Sequence, residues 1–257
     1  MNRIDQLFAT KQNNILSVYF TAGFPQLNST LSVLEALQAK GVDMVEIGVP
    51  FSDPLADGPV IQQSSHVAIQ NGMNLRLLFS QLKDVRERIH IPLVLMTYFN
   101  PVLVFGFEEF CKQCAEVGID GLIIPDLPFA EYEQTYKAIT DKYGLHMAML
   151  ITPQTSEARI RQIDDLTNGF IYMVSSASTT GAKDRFSEEQ IGYFERINAL
   201  ELKNPRLIGF GISNNTTLQS AFSHARGAIV GSKYVQLLGS EETIEKSVDA
   251  LFDSLGL

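Results

Sequence analysis

The sequence predicts an α/β fold, a (β/α)8 TIM barrel, with residues 1–257 forming a single domain. Three observations carry this reading: eight short apolar runs, longer amphipathic stretches between them, and a length of 257 residues, at which such barrels commonly close. The runs are Leu16–Tyr19, Met44–Ile47, Leu93–Met96, Gly121–Ile124, His146–Leu150, Phe170–Val174, Arg206–Phe210 and Ala228–Val230. Their near-continuous hydrophobicity fits strands buried on both faces, as in a parallel sheet. An open doubly wound sheet is the alternative, but eightfold repetition of strand and helix favours closure.

The intervening helices announce their ends. Asn28-Ser29 precedes the stripe Leu31, Leu34 and Leu37, which stops at Lys40-Gly41, a C-terminal glycine signal. Ser156-Glu157 opens a helix carrying Ile160 and Ile163, and Ser187-Glu188-Glu189-Gln190 reads as a capping box. The intervals after the second and sixth strands are longer than the rest. Extra residues in a barrel gather in βα loops, so long active-site loops are expected at about 48–60 and about 175–187.

Composition narrows the functional class. Hydrophobic residues make up 45% and charged residues 19% of the chain, with a formal net charge of −9. Interspersed charges with an acidic balance disfavour nucleic acid. No apolar run reaches the ~20 residues of a membrane span, and Met1-Asn2-Arg3-Ile4-Asp5-Gln6 lacks a secretory profile. A cytoplasmic location is expected. Cys111 and Cys114 form a C-x-x-C pair, which invites a zinc or redox reading. No further ligands follow at zinc spacing, and the pair falls in a helical pattern with Phe110 and Val117. Two ordinary helix positions are expected there, and no metal.

The segment from Val45 to Pro59 is the most informative. Glu46 lies in an apolar strand between Val45 and Ile47. An inward carboxyl near a barrel strand end is costly to desolvate, and burial raises its pKa toward a range where it can both give and take a proton. A salt-bridged structural Glu is the competing account. The loop beyond holds three prolines and two glycines around Asp53 and Asp57. Rigid loop residues could hold Asp57 over the pocket. Asp53 fits turn formation and partner contact equally.

A phosphate site is expected after strands seven and eight, the recurrent position in this fold. Gly209-Phe210-Gly211-Ile212-Ser213 precedes a helix start at Asn214-Asn215, and the last strand ends in Gly231-Ser232. Glycines allow close approach and helix N-termini offer N–H groups. Thr179-Thr180-Gly181, between Ser175 and Asp184, suits a lid over a phosphate, or simply a flexible surface loop. Lys183, Arg185 and Lys233 read as solvated charges.

The chemistry follows by elimination. No proposed strand or strand end carries the Lys of a Schiff-base aldolase. His66, His90, His146 and His224 are scattered rather than clustered as metal ligands. Proton transfer by carboxylates is left, and it requires a substrate that can hold the released electrons. An indole ring protonated at C3 does so, with Glu46 as general acid and base and Asp57 bonding the ring N–H.

At this point the sequence resembles the tryptophan synthase α chain family over essentially its whole length. Tyr19-Phe20-Thr21-Ala22-Gly23-Phe24-Pro25, the Glu46–Pro59 motif, Leu95-Met96-Thr97-Tyr98 with Asn100-Pro101, and Pro125-Asp126-Leu127-Pro128 carry the likeness. So do Tyr172, Thr180-Gly181, Gly209 to Ser213 and Gly231-Ser232. The resemblance implies cleavage of indole-3-glycerol phosphate to indole and glyceraldehyde 3-phosphate. It implies Glu46 as acid and base, Asp57 on the indole nitrogen, and Tyr172 supporting Glu46. Gly181, Gly211, Gly231 and Ser232 then match the phosphate contacts, with Thr180 in the lid. Phe20, Met96, Tyr98, Ile123 and Phe210 match the indole pocket. The resemblance further implies an α2β2 complex with a β chain that holds pyridoxal phosphate, this chain needing no cofactor. Asp53, Asn100, Pro101 and Asp126 fall near that interface. Loop six departs from the family pattern Ser-x-x-Gly-Val-Thr-Gly, with Ser178 and Thr179 in place of Gly and Val. That change leaves Gly181 intact and bears on lid closure and communication with the β chain. A free-standing lyase and a non-catalytic allosteric partner of the β chain are the competing functional readings.

Overall fold

The computed structural model describes residues 1–175 and 184–257. Its strands are β1 (Ile15–Thr21), β2 (Met44–Gly48), β3 (Leu93–Met96), β4 (Gly121–Ile123), β5 (His146–Met147), β6 (Met149–Ile151), β7 (Ile171–Val174), β8 (Arg206–Gly209) and β9 (Gly227–Val230). All pairings are parallel, in the order β5-β4-β3-β2-β1-β9-β8-β7-β6. The expected run His146–Leu150 is two short strands flanking Ala148, whose N–H bonds the carbonyl of Leu122 at 3.0 Å. One piece pairs with β4 and the other with β7, so together they act as the fifth of eight staves and close the ring.

The helices are α1 (Arg3–Thr10), α2 (Ser29–Lys40), α3 (Pro59–Gln70), α4 (Leu75–Leu82), α5 (Phe99–Phe105), α6 (Phe107–Glu116), α7 (Phe129–Glu131), α8 (Lys137–Lys142), α9 (Glu157–Leu166), α10 (Glu188–Asn198), α11 (Asn215–His224), α12 (Ser232–Ser240) and α13 (Ile244–Leu255). The expected signals operate locally. Gly41 ends α2 in the left-handed conformation, Ser156 caps α9, and Ser187 with Gln190 forms a complete capping box on α10. None of the helices among the described residues is long and apolar enough to cross a membrane. Cys111 and Cys114 are buried, unbridged positions on α6.

Two cores follow from the period of two along each strand. Leu16, Val18 and Phe20 of β1 join Val45 and Ile47 of β2 in the layer between sheet and helices. Ile15, Met44, Val94, Ile123, Leu207 and Ile229 fill the barrel interior. α1 completes that interior from below with Ile4 and Phe8, an element that no motif in the sequence announces.

The N-terminal end of the barrel is tied by ion pairs and backbone bonds. Asp120, just before β4, is buried and takes Arg3 Nη1 at 2.9 Å, Arg86 Nη2 at 2.6 Å and the Leu93 N–H at 2.9 Å. The guanidinium of Arg86 also donates to the carbonyls of Gly118, Ile89 and Ile91. Removing one partner of a buried pair strands the other charge. Arg86→Met is therefore expected to lower unfolding free energy by about 3–5 kcal/mol, read from the urea midpoint. A shift below about 1 kcal/mol would mean that Arg3 alone satisfies Asp120.

Candidate active site

β2 delivers Glu46 to the barrel interior. It stands opposite Tyr19 of β1 and Val94 of β3, two residues beyond the inner-core Met44. The carboxyl is fully buried. Ser17 Oγ donates to Oε1 at 3.0 Å, whereas Oε2 has no hydrogen-bond partner among the described residues. No ion pair among the described residues includes Glu46, which removes the basis for a salt-bridged structural role there. Burial pushes its pKa from 4.5 up to about 8, and the Ser17 bond opposes the rise.

Asp57 arrives on the segment 49–58 between β2 and α3. Its N–H bonds the carbonyl of Pro54 at 3.0 Å. The Tyr98 hydroxyl donates to Asp57 Oδ2 at 3.0 Å and accepts the N–H of Ala56 at 3.0 Å. The Tyr98 ring stacks on Phe51 at 5.0 Å, so one tyrosine grips the loop at both ends. Burial raises the Asp57 pKa from 3.8 to about 6, against the lowering effect of Tyr98.

Two further tyrosines enclose the carboxyls, each lying across a glycine of the neighbouring strand. A Cβ at Gly48 would meet the Tyr19 hydroxyl at 2.1 Å, and one at Gly209 would meet the Tyr172 hydroxyl at 2.3 Å. Any side chain at either glycine would evict the ring. Burial, with the charges of Glu46 and Asp57, raises the pKa of both tyrosines. Tyr172 meets Phe210 edge to face at 6.3 Å. A small cleft opens between Tyr19, Val49, Asp57, Met96, Tyr98 and Pro125.

Most of the expected pocket residues therefore lie at this mouth: Met96, Tyr98, Ile123 and Phe210 with the inner core or the cleft. Phe20 does not. It belongs to the sheet–helix layer, because an odd-numbered residue of β1 faces inward and an even-numbered one outward. Tyr19 holds the inward position that was expected of Phe20. Alternation from Ser17 in the sequence was the available signal, but the neighbouring apolar run masks which parity is inner.

The loops after β8 and β9 flank the same mouth. Gly211 has φ +78° and follows Phe210 at φ +68°, whose carbonyl accepts Ser175 Oγ at 2.6 Å. Gly231 precedes Ser232, the exposed first residue of α12. Ser178, Thr179, Thr180, Gly181 and Lys183 lie outside the described residues. Asp53 and Asn100 are exposed, Pro101 is half-buried on α5, and exposed Asp126 accepts the Phe99 N–H at 2.8 Å. Asp53 accepts the Ser52 hydroxyl at 2.6 Å. The histidines are apart: His146 pairs with Asp5, His224 bonds Ser220, and His66 and His90 are exposed. Among the described residues no group of three or more His, Cys, Asp or Glu side chains could hold a metal ion.

A family model described as tryptophan synthase alpha chain matches residues 5–254. The chain belongs to the tryptophan synthase alpha chain family. It is 60% identical over 255 residues to the tryptophan synthase alpha chain of Parabacteroides distasonis, covering 99% of each. It is 53% identical to that of Bacteroides thetaiotaomicron, covering 99% of this chain and 100% of the relative. Among solved structures, the tryptophan synthase A-subunit of Pyrococcus furiosus superposes with a TM-score of 0.88 at 32% identity, over 96% of this chain and 100% of that one. Mycobacterium tuberculosis tryptophan synthase in an aminoacrylate-bound form gives 0.85 at 27%, over 99% and 98%.

The buried acid has a consequence for stability. The unfolded chain releases the Glu46 proton near pH 4.5, while the folded chain holds it to about pH 8. Between these values the folded state binds the extra proton, so stability falls as pH rises. Glu46→Gln keeps a neutral group of the same size. Relative to the native chain, it is expected to gain several kcal/mol between pH 5 and pH 9, at about 1.4 kcal/mol per unit. Urea midpoints at both pH values check this, and an unchanged difference would contradict it.

Proposed function

We propose that this chain is the α subunit of a tryptophan synthase, cleaving indole-3-glycerol phosphate to indole and glyceraldehyde 3-phosphate. The observation that carries the reading is a fully buried Glu46 that keeps its proton near neutral pH, beside a second, half-buried carboxyl at the barrel mouth. Glu46 gives its proton to ring C3, and the positive charge that appears on the ring nitrogen is held by Asp57. The Glu46 carboxylate then takes the proton of the side-chain hydroxyl adjacent to the ring. The carbon–carbon bond breaks, its electron pair restores the neutral indole, and the hydroxyl carbon becomes the aldehyde. Glu46 ends protonated, as it began.

Tyr172, near enough for the Glu46 charge to raise its pKa, supports that carboxyl. Tyr19, Met96, Tyr98, Ile123 and Phe210 wall the ring. The N–H groups around Gly211, Gly231 and Ser232 take the phosphate, with Thr180 and Gly181 closing from loop six. Residues 1–257 act as one cytoplasmic domain without a cofactor of its own. The partner is a β chain carrying pyridoxal phosphate, in an α2β2 complex to which indole passes for tryptophan synthesis. Leu55 and Val104, 89% and 82% exposed, lie near Asp53 and Asn100 in the sequence and give that docking face apolar area.

The test is indole release from indole-3-glycerol phosphate, with and without a β chain. Glu46→Gln is expected to lose ~10² or more in kcat, as removal of a general acid–base does. Asp57→Asn is expected to lose about 10²–10³, the range for losing electrostatic stabilisation of a developing charge. The β chain is expected to co-elute with the native chain and to raise its rate. Full activity of Glu46→Gln in the complex would make the chain a non-catalytic partner, and no response to the β chain would make it a free-standing lyase.

A further inference from the structure

Below its mouth the barrel interior is lined by hydrocarbon, with Ile15, Met44, Val94, Phe170, Leu207 and Ile229 among its members. Ser17 stands in that wall, on the inner face of β1 between Ile15 and Tyr19, and is fully buried. A buried hydroxyl without a partner is destabilising, so an inner-face serine is retained at a cost unless it bonds something. Its one partner among the described residues is Glu46 Oε1, at 3.0 Å. The bond is equally exclusive from the other side, since Oε2 of the same carboxyl has no partner among the described residues.

We propose that Ser17 is a positioning residue for Glu46, its hydroxyl fixing the carboxyl plane through Oε1 and leaving Oε2 as the oxygen that exchanges the proton with the substrate. This inference rests on the reading of Glu46 as the acid–base. A neutral carboxyl that accepts at one oxygen carries its proton on the other. Donation from Ser17 to Oε1 therefore keeps the acidic proton on Oε2, the atom free to reach a ring. After transfer the same hydroxyl bonds the carboxylate, so Oε1 need not move during the cycle. The bond also works against desolvation, which otherwise drives the proton affinity of Glu46 upward. The other titratable groups facing Glu46 are Asp57 from the loop, Tyr19 from β1 and Tyr172 from β7. Burial keeps both tyrosines neutral, and Asp57 is held by Tyr98 rather than by Ser17.

The experiment compares the native chain, Ser17→Ala, Ser17→Thr and Glu46→Gln, each with a β chain, for indole release across pH 5 to 10. Ser17→Ala is expected to lower kcat about tenfold, less than the ~10² or more lost with the acid–base itself, with KM changed less than about twofold. The basic limb of its pH profile is expected to move upward by about half a unit or more, since a bond favouring the charged carboxylate is gone. Ser17→Thr restores the hydroxyl and is expected to return the limb to its native place. A 13C titration of the Glu46 carboxyl gives the same shift independently of turnover. Native kcat and an unmoved limb in Ser17→Ala would overturn the proposal, and so would a slower enzyme whose limb and Glu46 titration stay in place, which is a packing defect. Full activity in Glu46→Gln would instead sink the reading of Glu46 itself, whatever the serine variants do.

Discussion

Glu46 sits where water is excluded and one hydrogen bond is on offer, and the arrangement of the barrel mouth follows from that. An ionised carboxylate in such a place is expensive, so the group stays protonated until about pH 8. Its neighbours are compatible with a neutral acid. Tyr19 and Tyr172 bring hydroxyls rather than charges, and each reaches its position only because the strand beside it presents a glycine. The mouth thus carries little charge at rest, with Asp57 its one carboxyl that ionises readily. In the proposed reaction, charge appearing on a bound ring finds that carboxylate in a poorly screened setting, where its attraction is strongest.

The opposite end of the barrel treats carboxyls in the opposite way. Asp120 meets two guanidinium groups and a backbone N–H. Asp43 accepts Lys11 at 2.6 Å and the Leu16 N–H at 2.8 Å. Asp164 accepts the N–H groups of Lys203 and Asn204 at 2.9 and 3.0 Å. Asp120 and Asp43 join neighbouring strand starts, Asp164 ties α9 to the segment before β8, and none of their oxygens is buried without a donor. Glu46, one strand length away, lacks them. The same residue chemistry is a fastening at the N-terminal end and, in the proposed mechanism, a reactive group at the C-terminal end, and the difference is the supply of donors. A site deficient in donors is locally costly, and the bonded carboxyls at the other end offset part of that cost.

Strand positions were legible in the sequence because burial on both faces leaves a continuous apolar signature. The same continuity hid which face was inner. In Leu16–Tyr19 every residue but Ser17 is apolar, so the run itself does not say whether Tyr19 or Phe20 looks into the barrel; the register against Glu46 decides for Tyr19. Glu46 and Asp57 were visible because a carboxyl in an apolar strand and a carboxyl in a proline-rich loop are each conspicuous. Their partners were not. Ser17 lies 29 residues from Glu46 and Tyr98 lies 41 from Asp57, and nothing local marks either pairing. α1 escaped for a related reason. Ile4 and Phe8 are the only two residues it buries deeply, too few to make a periodic pattern, yet they seal the barrel floor.

The two carboxyls differ most in what holds them. Glu46 belongs to a central strand bonded on both sides, and its side chain is pinned by a residue of the adjacent strand, so its place is set by the barrel itself. Asp57 belongs to a loop, and the bonds that hold it come from Tyr98 and the loop backbone. Opening that loop would remove Asp57 and leave Glu46 where it is. In the proposed mechanism, a proton donor held by the barrel and a counter-charge held by a loop divide two tasks between two kinds of support. On that proposed mechanism the acid stays protonated in its buried place, while the group that stabilises the reacting ring depends on the loop that carries it. The loop also carries the exposed Leu55 and Asp53, so whatever rests on its outer side bears directly on the position of Asp57.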